Sequence, residues 1–314
     1  MLFLQKKRGT KFFVRLKNNW QLHLLILLPL ASIIIFCYVP MYGAQIAFRD
    51  FKIRDGIWGS AWVGLKHFIR FFKYYGFSSV VSNTVTLSLY GLLVGFPLTI
   101  IFALMLNTVR NARFRKFAQT LTYMPNFISV VVIVGIINQI FNPVSGVVGA
   151  IYRLIGGAGY LSDLRASASA FRHMYVWSGV WQGLGFSTII YTAALSGVSP
   201  ELHEAAMIDG ATRFQRVLHV DIPAIMPTAA IMLILSFGSV MSVGFEKVYL
   251  MQNSLNISVS QVISTYVYGV GFGTSMDMSY GAAIGLFNSV INCTMILLMN
   301  FLSKKLSSNE VSLF

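Results

Sequence analysis

The chain has 314 residues, 56% of them hydrophobic and only 11% charged, with a mean hydropathy of +0.68. Soluble domains carry about 25% charged residues, so this composition excludes an ordinary soluble protein and points to an all-α integral membrane protein. The net charge of +14 comes from 24 Lys and Arg against 10 Asp and Glu. In so apolar a chain that excess belongs to loops beside membrane spans, and no nucleic-acid partner is expected.

The opening segment MLFLQKKRGTKFFVRLK is basic and precedes a long apolar run. That run is too long for the core of a signal peptide and has no small-x-small cleavage site, so it reads as a retained helix. Six runs reach the roughly 20 apolar residues a bilayer requires: about 21–46, 79–107, 119–141, 174–198, 224–245 and 280–302. None contains Asp, Glu, Lys or Arg. The expected organisation is a cytoplasmic tail over 1–20, a six-span domain over 21–305 and a second cytoplasmic tail over 306–314. Cys37 and Cys293 lie inside apolar runs and read as reduced packing residues, with no disulfide or metal site.

The segment 47–78 reads as an amphipathic stretch on the outer interface, anchored by Trp58, Trp62, Phe68, Phe71 and Phe72. Of the 24 basic residues, six lie in the N-terminal tail, four in NTVRNARFRKF, two at Arg213 and Arg216 and two at Lys304 and Lys305. That majority on one side places both termini in the cytoplasm. Pro29, Pro97, Pro125 and Pro227 punctuate the spans, and the GxxxG pairs Gly91/Gly95, Gly179/Gly183 and Gly281/Gly285 read as close helix packing.

Between spans four and five stands ELHEAAMIDGATRFQRVLHVDIP, residues 201–223. Ser199 caps a helix opened by Pro200, and Glu201 and Glu204 suit the positive end of its dipole. Gly210 supplies a left-handed turn, Thr212 caps a second short helix, and Pro223 marks the return to the membrane. The result is a slim cytoplasmic helix-turn-helix where a plain connector would need only a few residues.

Glu204-Ala205-Ala206, three residues, Gly210, nine residues and Val220-Asp221-Ile222-Pro223 together resemble the EAA loop of ATP-binding-cassette importer permeases. The chain departs from that pattern only by Val for Ile and Ile for Leu. WVGLKHFIRFF after the first span and GFEKVYLMQNSLNISVSQVISTYVYGVG before the last are similar to the permeases that import oligosaccharides or polysaccharide fragments. The resemblance implies a coupling helix at about Pro200–Ile208 that seats in a separate ATPase, with Glu204, Ala205, Ala206, Asp209, Gly210 and Pro223 as the coupling residues. It also implies a second related permease, a dimeric ATPase that binds ATP and Mg, an extracytoplasmic solute-binding protein and a bacterial cytoplasmic (inner) membrane.

The chain has no Gly-Lys dipeptide, hence no phosphate loop, and its five histidines are scattered. It is expected to be no enzyme and to hold no cofactor. An ion-coupled secondary carrier for a neutral solute is the alternative, though such carriers place ionisable groups within the membrane. A saccharide path needs neutral hydrogen-bonding groups and flat apolar faces, and the candidates are Asn83, Tyr90, Trp181, Gln182, Asn288 and Asn292. The six uncharged spans speak weakly against an acidic saccharide.

Overall fold

The computed structural model describes residues 19–157, 162–273 and 276–306. The expected tails lie outside these residues, apart from 19–20 and 306. The described chain is mostly helix. Its one sheet is a two-residue antiparallel pair, β1 (Arg49–Asp50) against β2 (Ala61–Trp62).

Helix α1 (Trp20–Phe48) is continuous through a π turn at Ile34–Tyr38 and a final 3-10 stretch. Its apolar window is unburied among the described residues, and the last turns, Tyr42–Phe48, lie against the C-terminal helix. Such a helix requires lipid or another protein to cover it. Helix α2 (Lys66–Phe72) follows the sheet. Here one expectation is corrected: Phe71 is no interface anchor but is 1% exposed, ringed by Phe77, Phe287, Tyr266 and Tyr280. Trp58, Trp62 and Phe72 are exposed, and Phe68 packs half-buried on Phe48.

Helix α3 (Phe77–Thr108) runs unbroken through Pro97. The third expected span is not one helix. Helix α4 (Ala112–Tyr123) ends in a 3-10 turn at Met124–Phe127, and α5 (Val130–Ile140) leaves it at 98°. Pro125 cannot donate its share of the helical ladder, and Ser129 starts the new helix by accepting from Val132 N at 3.4 Å. Helix α6 (Ala168–Ser196) packs against α3, and a Cβ on Gly185 would collide with the backbone of Thr122, so the turn region of α4 lies directly on α6.

After the hairpin helix α7 (Pro200–Ile208) comes α8 (Arg213–Phe237), 25 residues long. It stops short of the expected 245 because the chain turns at Gly238, where a side chain would strike Ile296. Residues 238–262 then fold inward around the short helix α9 (Phe245–Met251), followed by α10 (Ile263–Phe272) and α11 (Met278–Leu306). Four helices are long and apolar enough to cross a membrane, namely α1, α3, α8 and α11, or five if the bent pair α4–α5 is one span. Helix α6 is long enough, but its Ser, Thr, Gly, Gln and Trp residues lower its hydropathy.

The inward segment is partly irregular and carries fully buried residues: Val248, Asn256, Ser260 and Val262 are each 0% exposed. Buried irregular backbone must find its hydrogen bonds in side chains. Asn83 Nδ2 donates to Ser258 O and Gln261 O, Thr84 Oγ1 accepts from Ile263 N, and Asn256 Nδ2 donates to Arg165 O and Met251 O. Asn292 closes the other end, accepting from Met241 N and donating to Ser242 Oγ.

Candidate functional site: an exposed hairpin and a glycine-lined cavity

The hairpin forms as its local chemistry dictates. Ser199 Oγ accepts from Glu201 N at 3.3 Å, and Pro200 occupies the first turn of α7. At the far end Ala211 N donates to Ala206 O and Gly210 N to Met207 O, the paired bonds that close a helix through a left-handed residue. Gly210 has φ +78°. Thr212 Oγ1 accepts from Gln215 N while Gln215 Oε1 accepts from Thr212 N, a reciprocal cap.

The second arm is no separate short helix. It begins α8 and continues through a π turn at Val217–Asp221 to Phe237, with Pro223 inside the continuous helix rather than at a boundary. The wider turn accommodates the missing N–H of Pro223. Glu204, Ala205, Asp209, Gly210 and Pro223 are exposed and Ala206 is half-buried. Beside them Ile208 and Phe214 are 87% and 75% exposed, so the tip offers large apolar side chains amid charge.

A polar junction ties this tip to the helices. His203 Nε2 of α7 lies 3.4 Å from Asp221 Oδ1, which also accepts from Asn107 Nδ2 of α3 at 3.4 Å. Asp221 is 3% exposed.

Between α3 and α6 lies a cavity of about 710 Å³, closed by Met232 and Ser236 of α8 and by Lys247 of α9. Its volume falls within the roughly 300–1,000 Å³ of small-molecule sites. The GxxxG pairs Gly91/Gly95 and Gly179/Gly183 line it. A Cβ added at Gly91 or Gly183 would meet open space, so these glycines widen the cavity instead of bringing two backbones into contact. Aromatic faces come from Phe96, Tyr175 and Phe186, and neutral polar groups from Thr99, Gln182 and Ser187.

The polar candidates of the sequence are placed as follows. Gln182 lines the cavity, its Nε2 donating to Ile128 O. Tyr90 lines a second recess with Arg172 and His173; its hydroxyl lies 2.8 Å from His173 Nδ1 and accepts from Trp177 Nε1. Asn83 and Asn292 hold the inward segment as described. Trp181 is 52% exposed and lines none of these cavities. Asn288 Oδ1 is buried without a hydrogen-bond partner among the described residues.

Three groups escaped the sequence reading. His203 and Asp221 are 18 positions apart and gain meaning only when the hairpin closes. Lys247 stands two residues beyond the expected fifth span, yet it is 8% exposed and lines the cavity. Its Nζ donates to Tyr175 O at 3.1 Å and sits 5.1 Å from the Tyr175 ring centroid. Burial holds this ammonium below the ordinary lysine range, at about 8. The signal available was a lysine in the apolar stretch VGFEKVYLM.

Residues 95–308 match the family described as binding-protein-dependent transport system inner membrane component. Over 300 residues the chain is 40% identical to protein LplB of Bacillus subtilis (strain 168), covering 95% of this chain and 93% of that protein. The polygalacturonan/rhamnogalacturonan transport system permease protein YteP of the same organism is 37% identical over 310 residues, with 99% and 96% covered. The fold superposes on a crystal structure of a bacterial ABC transporter involved in the import of the acidic polysaccharide alginate, with a TM-score of 0.84 and 34% identity over 94% of this chain and 99% of that one. The same transporter type, in complex with an alginate pentasaccharide-bound periplasmic protein, gives 0.84 and 33% over 96% and 99%. With more than half its length matched by the family and relatives this similar end to end, the chain belongs to the binding-protein-dependent transport system inner membrane components, the permeases of ABC importers.

Proposed function

We propose that this chain is the permease subunit of an ATP-driven importer for an oligosaccharide or polysaccharide fragment, and that the 199–223 hairpin couples its cavity to a separate ATPase. The family assignment supports the transport role and leaves the secondary carrier unfavoured. The observation that carries the coupling role is the hairpin itself. A capped helix exposes Glu204 and Ile208 beside the exposed Phe214 of α8, and it meets α8 and α3, which border the cavity, through His203–Asp221 and Asp221–Asn107.

In this reading α1, α3, the bent pair α4–α5, α6, α8 and α11 make six crossings, so the permease domain spans 21–305 and both termini are cytoplasmic. The partners are a second permease, two copies of an ATPase that binds ATP and Mg, and an extracytoplasmic binding protein like the periplasmic one in the alginate complex. The second permease would cover the open side of the cavity and part of α1. Tyr90 and Gln182, which line recesses, are the cargo contacts among the polar residues. Asn83 and Asn292 act by shaping the wall, Trp181 faces a surface that a partner would cover, and Asn288 keeps its Oδ1 buried inside the chain.

Affinity purification from the native membrane in mild detergent tests the reading. An ATPase and a second permease are expected with the wild type, and Glu204→Lys is expected to lose the ATPase at least tenfold while keeping the permease. Arrival of the chain alone in both samples would contradict the proposal.

A further inference from the structure

Lys247 is the one charged side chain among the residues lining the α3–α6 cavity. It enters from α9, not from a crossing helix, and its relative exposure is 8%. No carboxylate pairs with it among the described residues, and its neighbour Glu246 is exposed. A lysine ammonium has three donors; Tyr175 O takes one, and the other two have no acceptor in the described chain. The Tyr175 ring supplies a partial cation–π contact. A Cβ on Gly179 would stand 3.4 Å from Nζ, so α6 carries a bare backbone opposite the ammonium.

A second cation without a carboxylate partner among the described residues stands on α6 itself. Arg172, one turn before Val176 on α6, donates from Nη2 to Asn83 Oδ1 at 3.1 Å, while its Nε is buried and unpartnered. It borders the recess that also contains Tyr90 and His173. No Asp or Glu lines either space among the described residues. Buried charge without a counter-ion, as at Lys247, is unfavourable unless something arrives to neutralise it, and half-buried Arg172 bears part of the same cost at its buried Nε. A neutral sugar would leave both cations unpaired; an anionic one would pair with them.

We infer that the saccharide carried is anionic, and that Lys247 receives its acidic groups within the cavity while Arg172 meets them in the recess that holds Tyr90. This deepens the saccharide-importer reading and rests on it. Lysine presents a compact point charge without the planar fork of arginine, so Lys247 suits successive acidic groups sliding past better than one fixed bidentate partner. The carboxylate of a uronic acid and a sulfate ester share this chemistry.

The test uses the purified complex in nanodiscs and saturation-transfer NMR with four probes: trigalacturonate, its methyl ester, a sulfated trisaccharide and maltotriose. Trigalacturonate or the sulfated trisaccharide is expected to bind at least tenfold tighter than the methyl ester and maltotriose, and which of the two prevails identifies the acidic group. Lys247→Met should reduce that preference about tenfold and flatten its salt dependence, while Lys247→Arg keeps most of it. Equal binding of acidic and neutral probes to the wild type overturns the inference and leaves the saccharide reading intact, whether or not the Met variant assembles. A preference unchanged in an assembled Lys247→Met complex overturns the role of Lys247, which would then merely tether α9 to α6. Absence of binding by all four probes overturns the saccharide reading and the inference with it.

Discussion

The hairpin at 199–223 and the inward segment at 238–262 flank the same helix, α8, and they are held by opposite means. The hairpin is exposed almost throughout and owes its shape to neighbours in sequence: Ser199 with Glu201, Thr212 with Gln215, and a left-handed glycine. The inward segment turns Val248, Asn256, Ser260 and Val262 fully inward and leans on residues far away, since Asn83, Thr84, Arg165 and Asn292 hydrogen-bond to it or to the start of α10. A surface that must dock and release benefits from autonomous rigidity. A cavity wall that must present Lys247 at a set position requires the rest of the molecule to hold it.

This contrast can be broken first in the buried segment, where the largest effect is expected. Asn256 is 0% exposed, bonds Arg165 O and Met251 O, and accepts from Ser260 Oγ and Asn253 N. Asn256→Ala leaves buried carbonyls unpaired and should cost about 3 kcal/mol, read as a lowered Tm of the detergent-solubilised chain. A Tm within a degree of wild type would show that the segment is held otherwise.

A smaller effect is expected where the two regions communicate. His203→Ala removes the 3.4 Å contact with Asp221 but leaves the Asn107 bond. It should cost about 1 kcal/mol or less of stability. The larger consequence falls on coupling: cargo-stimulated ATP hydrolysis should drop severalfold while the ATPase stays bound. Unchanged stimulation would remove the junction from the coupling path.

The same contrast explains what was legible in the sequence. The hairpin could be read nearly whole because caps and left-handed turns are decided within a few residues, and α7 occupies Pro200–Ile208 as expected. Its second arm is capped by Thr212 as expected but runs on into α8, because the π turn at Val217–Asp221 takes up Pro223. Hydropathy located the apolar runs but could not foresee the 98° bend at Pro125, where a helix start at Ser129 competes with continuation. The same windows passed over Lys247, because a window that ends at the last apolar residue ignores a cation folded back against α6. Gly91 and Gly183 carry a packing motif yet face open space, a distinction that depends on where the neighbouring helix stands.

The central claim is that a helix closed at Gly210 transmits the ATPase cycle to the cavity, and one series of variants tests it most directly. Gly210 has φ +78° with no atom near a prospective Cβ, so substitution there is a matter of backbone conformation alone. Asparagine tolerates the left-handed region, whereas a β-branched residue resists it at a cost of about 1–3 kcal/mol. Measured as ATPase retained on the purified complex and as cargo-stimulated hydrolysis, the account predicts the order Gly, then Gly210→Asn, then Gly210→Val, with at least a tenfold loss at valine. Equal retention and equal stimulation across the three would contradict it.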